Sequence, residues 1–209
     1  MSEIESLEEL ALFRESITNY HCAAMEVETK FQVLDKRFSL IRDQNPIEYI
    51  EMRIKSPESI VRKLKRRNCP VTVESMEANL TDVAGVRVVC SFPSDIEELA
   101  QLFLEQDDVV LIQKKDYISH PKENGYRSLH LIVKVPVFTE TGRREIAVEV
   151  QLRTLAMDFW ASLEHKVRYK KDLDPAVMKA ISSDLKECAE TSALLDKKME
   201  GIRNHIQGT

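Results

Sequence analysis

Apolar positions in the first forty residues recur with a helical period. Leu7, Leu10, Phe13, Ile17 and Tyr20 are followed by Val27, Phe31, Leu34 and Phe38, which predicts long amphipathic helices from about residue 4 to 40. Asn45-Pro46 reads as the cap and first turn of a short helix. Ser56-Pro57 repeats that signal ahead of a second one, SPESIVRKLKRR. The pattern then changes. VAGVRVVCSF at 83–92 is β-branched and mostly apolar, as a buried strand is, and Pro93-Ser94-Asp95 opens a helix through Leu104. Further strands are predicted for VVLIQKKDYI at 109–118, SLHLIVKVPVF at 128–138 and EIAVEVQLRT at 145–154. Thr141-Gly142 turns the last two into an antiparallel hairpin. Helical periodicity returns over Leu155 to Tyr169 and Pro175 to about Ile206. Strands and helices alternate too irregularly for a doubly wound parallel sheet, so the expectation is α+β with a mixed sheet of four or five strands and helical extensions at both ends.

Composition narrows the class. At 209 residues, 43% hydrophobic and 31% charged, the chain suits one substantial core, and no stretch has a linker's Pro/Gly/Ser bias. One domain is expected over 1–209, with N-terminal helices over 1–44, a core over 45–170 and a C-terminal helix over 171–209. The start, MSEIESLEELALF, is acidic and does not resemble a secretory signal, and no apolar run approaches a membrane span. Cys22, Cys69, Cys90 and Cys188 show no metal or disulfide spacing, as reduced cytoplasmic thiols would not. A net charge of −5 disfavours a surface built to coat nucleic acid. The basic run RIKSPESIVRKLKRR from Arg53 to Arg67 instead suggests a local site for a small polyanion.

Three groups of residues carry candidate chemistry. Asp82 precedes DVAGVRVVC's valines, and Glu149 lies between Val148 and Val150, so strand alternation turns Glu149 away from them. If the two strands are neighbours, the carboxylates suit one Mg²⁺ against phosphate oxygens. The plainer alternative is that Asp82 caps a turn and that Glu149 faces water or pairs with Arg87 or Arg153. In a helix from Pro57, Ser59, Lys63 and Arg66 share a face while Ile60, Val61 and Leu64 point elsewhere. With Arg53 and Lys55 that stripe suits a triphosphate, and Arg53 and Arg87 suit an adenine stacked between guanidinium planes. A solvated helix face is the alternative. In KENGYRSLHLIV, 122–133, Asn124-Gly125 allows a tight turn. Alternation from Tyr126 through Ser128 to His130 places a stacking ring and an imidazole together, although both residues are also ordinary packing groups. Neither GxGxxG nor GxxxxGK[ST] is present.

In order and spacing, RIKSPESIVRKL, DVAGVRVVC, KENGYRSLHLIV, VEVQLRT and AMDFWASLEHKVRYK resemble the synthetase domain of RelA/SpoT homologues over about residues 45 to 170. The flanking helices resemble those of small alarmone synthetases, nearer the RelP type than the RelQ type. The resemblance implies a nucleotidyltransferase-like fold and transfer of the β,γ-pyrophosphate of ATP to the ribose 3′-hydroxyl of GDP or GTP, giving the alarmones ppGpp and pppGpp of the stringent response. It implies Mg²⁺ on Asp82 and Glu149, with Glu149 also the base. Arg53 and Arg87 would flank adenine, and Lys55, Ser59, Lys63 and Arg66 would hold the ATP phosphates. Tyr126 would stack on guanine, with Lys115, Lys122, His130 and Gln151 around the acceptor nucleotide. A cytoplasmic homotetramer is implied, with no membrane and no obligatory nucleic acid.

The chain has no His-Asp dipeptide and no room for a hydrolase domain, so synthesis without hydrolysis is expected. RelQ-type relatives have a phenylalanine and an asparagine in an alarmone-activated cleft where this chain has Tyr49 and Asp158. The acid in place of the amide predicts weak or no stimulation by pppGpp. Two other classes compete. A non-catalytic nucleotide or RNA-binding module explains the basic face but not the paired acids, and a nucleotidyltransferase adding NMP units usually shows acids one residue apart on a strand.

Overall fold

The computed structural model describes residues 7–42, 44–140, 142–168 and 175–208, with side chains described from residue 13 except at 168 and 175–179. The expected helix start near residue 4, the side chains of Leu7 and Leu10, Thr141, Tyr169 and the boundary at 170/171 fall outside those residues.

The elements are α1 (Leu7–Ile41), β1 (Ile47–Ile54), α2 (Pro57–Arg66), α3 (Val73–Asn79), β2 (Ala84–Cys90), α4 (Pro93–Leu104), β3 (Val110–Asp116), β4 (Leu129–Thr139), β5 (Gly142–Thr154), α5 (Leu155–Arg168) and α6 (Pro175–Gln207). The five strands form one mixed sheet in the order β1-β2-β5-β4-β3, with β2 and β5 parallel and the other pairs antiparallel. The expected α+β class therefore holds, with five strands.

One expectation fails at the start of the sheet. Asn45-Pro46 opens β1 and not a helix, because the Asn45 side-chain oxygen accepts from the Ile47 amide at 3.0 Å and closes a local turn. IEYIEMRI then alternates and pairs along β2. At Ser56 the same kind of signal does cap a helix: its hydroxyl accepts from the Ser59 amide, and Pro57 takes the first turn of α2.

Alternation divides the sheet into two faces. Val86, Val88, Val148, Val150, Leu152, Leu131 and Val133 are buried on one face beneath α1 and α4. Helix α1 is a single helix of 35 residues, about 50 Å long at 1.5 Å per residue. It lays Tyr20, Ala23, Ala24, Val27 and Phe31 into the core, and Phe31 stacks on Phe103 of α4 at 4.6 Å. Each such large side chain contributes roughly 1.5–3 kcal/mol. Ile60 and Leu64 bury the apolar side of α2, leaving its basic side outward. This packing fixes the other sheet face as a platform for charged groups.

Candidate active site

The register lines up polar residues across the whole sheet. Glu51 on β1 pairs with Arg87 on β2, Arg87 with Gln151 on β5, Gln151 with His130 on β4, and His130 with Lys115 on β3. Two residues along the strands, Arg53 pairs with Gly85 and Gly85 with Glu149. Side chains two apart share a face, so Arg53, Arg87, Glu149, Gln151, His130 and Lys115 are gathered on one side. A pocket of about 200 Å³ lies there, lined by Glu51, Arg53, Lys55, Asp82, Gly85, Arg87, Glu149 and Gln151 among others. It is smaller than the roughly 300–1,000 Å³ of a complete ligand site, and α2 reaches it through Lys63, which bonds the lining Asp82.

Asp82 lies in the turn just before β2 and does not cap it. Its Oδ2 receives Lys55 Nζ at 2.8 Å and is also bonded by Lys63 Nζ, while its Oδ1 is buried without a hydrogen-bond partner. The Lys55 amide, bonded to the Val83 carbonyl at 2.8 Å, fixes that lysine beside it. Burial pushes the Asp82 carboxyl upward, but the two lysines outweigh it and hold its pKa below the ordinary value.

Glu149 faces away from Val148 and Val150, as alternation predicts. Its Oε1 is 3.1 Å from Nδ1 of His130, and its Oε2 accepts from the Gln151 amide at 2.8 Å. Burial again acts upward, and the bonds from His130 and Gln151 bring the pKa below that of an ordinary glutamate. Arg87 and Arg153, its expected alternative partners, turn to Asp158 at 3.4 and 3.1 Å, and Arg87 also holds Glu51 at 3.0 Å.

A closed ring of hydrogen bonds runs through Glu149. Arg153 donates from Nη2 to the Tyr126 hydroxyl at 2.6 Å and to Gln151 Oε1 at 2.7 Å, and Tyr126 is 2.8 Å from His130 Nε2. The Tyr126 hydroxyl thus sits between the Arg153 guanidinium and the His130 ring, whose other nitrogen faces Glu149. Strand alternation does not produce this contact, contrary to expectation. Strand β4 begins only at Leu129, Ser128 is fully buried with its hydroxyl on the Leu152 carbonyl at 3.1 Å, and Tyr126 reaches His130 from the preceding turn.

That turn depends on Gly125, whose φ is +90° and whose missing Cβ would lie 2.5 Å from Ala189 Cβ of α6. Lys122 Nζ lies 4.6 Å from the centroids of both the Tyr126 and Tyr117 rings. A base stacking on that face of Tyr126 must displace this exposed lysine.

The structure thus joins Arg53, Lys55, Arg87, Asp82, Glu149 and Gln151 in the pocket, links Lys63 through Asp82 and links His130 and Tyr126 through Glu149. Lys115 stands at the far end of the cross-strand row. Ser59 and Arg66 do not line the pocket; Ser59 hydrogen-bonds Ser56 at 3.1 Å in the first turn of α2, and Arg66 closes that helix. Sequence reading missed Glu51, Tyr117 and Asp158 as members of this constellation and gave Arg153 only a pairing role. Arg153 was signalled by its parity with Glu149 and Gln151, whereas Asp158 arrives only when α5 folds back.

The residues fit a divalent cation. Two hard carboxylates border a basic pocket, and Asp82 Oδ1 is a buried oxygen without a hydrogen-bond partner. Mg²⁺ commonly takes one or two carboxylates and completes its shell with water and phosphate.

Residues 52–174 match the family described as a region found in RelA / SpoT proteins. The chain belongs to the RelA/SpoT family. Within that family it is 45% identical to the GTP pyrophosphokinase YwaC of Bacillus subtilis (strain 168), over 90% of this chain and 88% of that protein. It is 34% identical to the GTP pyrophosphokinase YjbM of the same organism, over 90% and 87%. The small alarmone synthetase 1 from Bacillus subtilis, solved bound to its product pppGpp, superposes with a TM-score of 0.86 at 32% identity, covering 94% of this chain and 98% of that one.

A larger concavity, about 1760 Å³, opens between α6 and the N-terminal ends of α4 and α5 and contains none of the predicted site residues. Among the described residues no helix is long and apolar enough to cross a membrane.

Proposed function

We propose that this RelA/SpoT protein is a (p)ppGpp synthetase that transfers the β,γ-pyrophosphate of ATP to the ribose 3′-hydroxyl of GDP or GTP. The observation carrying this reading is the meeting of Asp82 and Glu149 between a cationic side (Arg53, Lys55, Lys63, Arg87) and an aromatic and amide side (Tyr126, His130, Gln151). A module that only bound polyanions would gain nothing from two ionised carboxylates at that point.

Arg53 and Arg87 receive adenine between their guanidinium planes. Lys55 and Lys63 exchange the Asp82 carboxylate for ATP phosphates, joined by Ser59 and Arg66 from the same helix face. Tyr126 takes guanine as Lys122 moves toward the acceptor phosphates, where Lys115 also points, and His130 and Gln151 hold the ribose side. The 3′-oxygen attacks the β-phosphorus, the bond between the α-phosphate oxygen and that phosphorus breaks, and AMP leaves. Glu149, ionised and oriented by His130 and Gln151, takes the 3′-hydroxyl proton. Asp82 and Glu149 would hold a Mg²⁺ ion, which would neutralise charge on the phosphate oxygens. Converging lysines and arginines add positioning and electrostatic stabilisation.

The absence of a His-Asp dipeptide supports synthesis without hydrolysis. Exposed Ile41, Phe159, Leu195 and Met199 around the larger concavity support assembly, which we assign as a cytoplasmic homotetramer. Tyr49 donates its hydroxyl to Asp158 at 2.7 Å, so both positions of the expected regulatory cleft are engaged with each other. This supports weak or absent stimulation by pppGpp.

The test is incubation of pure protein with Mg-ATP and GDP, GTP or GMP, followed by anion-exchange separation. The expected products are AMP with ppGpp or pppGpp, and Asp82→Asn is expected to lower the rate about a hundredfold and to raise the Mg²⁺ requirement. Unchanged nucleotides with the wild type refute the activity, and an unaltered Mg²⁺ titration in the variant refutes the role of Asp82. Release of pyrophosphate from ppGpp with Mn²⁺ would overturn the synthesis-only assignment.

A further inference from the structure

Asp158 is the point at which the two nucleotide sides of the sheet meet. It stands in the first turn of α5, is only 7% exposed, and gathers polar groups from four elements. Its Oδ2 accepts from the Tyr49 hydroxyl of β1 at 2.7 Å and from Ser162 one turn along α5 at 3.4 Å. Its Oδ1 lies 3.1 Å from Nη1 of Arg153 on β5 and 3.4 Å from Nη1 of Arg87 on β2. Arg153 carries the contact on to the Tyr126 hydroxyl at 2.6 Å and Gln151 Oε1 at 2.7 Å, both on the acceptor side. Arg87 stands at the opposite wall of the pocket, on the ATP side.

Two cations competing for one buried oxygen are not independent. Drawing Arg87 toward a stacked base releases Oδ1 to Arg153, and drawing Arg153 toward Tyr126 releases it to Arg87. A carboxylate that served only to neutralise Arg153 would need no second arginine from another strand on the same atom.

We propose that Asp158 is a positioning residue shared by both nucleotide sides, one carboxylate oxygen setting Arg87 for ATP and, through Arg153, setting Tyr126 and Gln151 for the acceptor. The proposal rests on the residue roles given under the proposed function. Asp158 acts through the two arginines. Its consequence is thermodynamic: each nucleotide changes the affinity of the other by the same factor, because coupling through a shared group is reciprocal.

The test is calorimetric titration of wild type, Asp158→Asn and Arg87→Lys with the α,β-methylene analogue of ATP, with and without saturating GDP, and then in the reverse order. In the wild type a reciprocal factor of about five or more is expected, falling to near one in both variants, and Asp158→Asn is expected to raise KM for ATP and GDP together. Absence of coupling in the wild type, unchanged coupling in either variant, or a KM change confined to one nucleotide overturns the proposal. Should Asp158→Asn fail to fold, Arg87→Lys decides the matter alone, since that side chain is partly exposed at 26% and keeps its charge. A wild type that binds neither nucleotide overturns the residue roles and this proposal together, whereas binding without coupling overturns this proposal only.

Discussion

Asp82 and Asp196 are both withdrawn from solvent, one on the open face of the sheet and the other on the inward side of α6, and their environments act on them in opposite directions. Burial pushes both upward. At Asp82 the ammonium groups of Lys55 and Lys63 reverse that push, and the carboxylate stays ionised with one oxygen unpartnered. At Asp196 the principal partner is the Thr154 hydroxyl, donating at 2.6 Å, and the pKa remains raised. Thr154 also caps α5 by accepting from the Met157 amide at 3.1 Å, so Asp196 joins the start of α5 to α6. The difference separates two uses of an acid. A group proposed to meet a metal is kept charged by neighbouring cations, while a group that only fastens two helices tolerates burial with its pKa left raised.

The contrast is broken most severely at Glu149. Glu149→Val removes the proposed proton acceptor and proposed metal ligand, and transfer is expected to fall by about a thousandfold or more while calorimetry still detects nucleotide binding. Near-normal product formation would place the chemistry elsewhere. Leu152→Ala tests the opposite face of the same strand. Leu152 is fully buried, so the variant is expected to lose about 2–5 kcal/mol in denaturant unfolding, with kcat per folded molecule far less affected than by Glu149→Val. A stability loss below about 1 kcal/mol would mean that this face packs loosely.

The smallest effect is expected at Asp196, where Asp196→Asn keeps an acceptor for Thr154. A raised carboxyl pKa means that the folded chain holds its proton more tightly than the unfolded one. The associated stability is complete below the unfolded value of about 3.9 and is lost as pH climbs through the folded value. The variant is therefore expected to melt about 1–3 °C higher than wild type at pH 7, and the gain should vanish on acidification toward pH 4. A variant less stable than wild type at pH 7 would show Asp196 to be a net favourable charge.

Much of the platform was legible in the sequence because it depends on alternation. Val148-Glu149-Val150 announced which side of β5 carries the polar side chains, and Ile60 and Leu64 fixed the outward side of α2. Strand β1 was misread because Asn45-Pro46 carries a turn signal common to helix starts and strand starts, and only pairing with β2 decides between them. Asp82 and Glu149 were legible as acids near strands, but their proximity depends on the parallel pairing of β2 with β5, which no local pattern encodes. The ring through Tyr126, His130, Gln151 and Arg153 and the hub at Asp158 require the register of several strands and the return of α5. They arise from tertiary geometry and leave no spacing in the chain.

Gly125 touches α6 so closely that no methyl group fits between it and Ala189. The acceptor turn is therefore walled by a helix that leaves the ribosome long after the turn itself. A nascent chain extended through β5 already holds Arg53, Lys55, Lys63 and Arg87, yet the turn that presents Tyr126 has no back wall until α6 emerges. Asp158, which Arg87 meets, arrives with α5, and Ala189 arrives last.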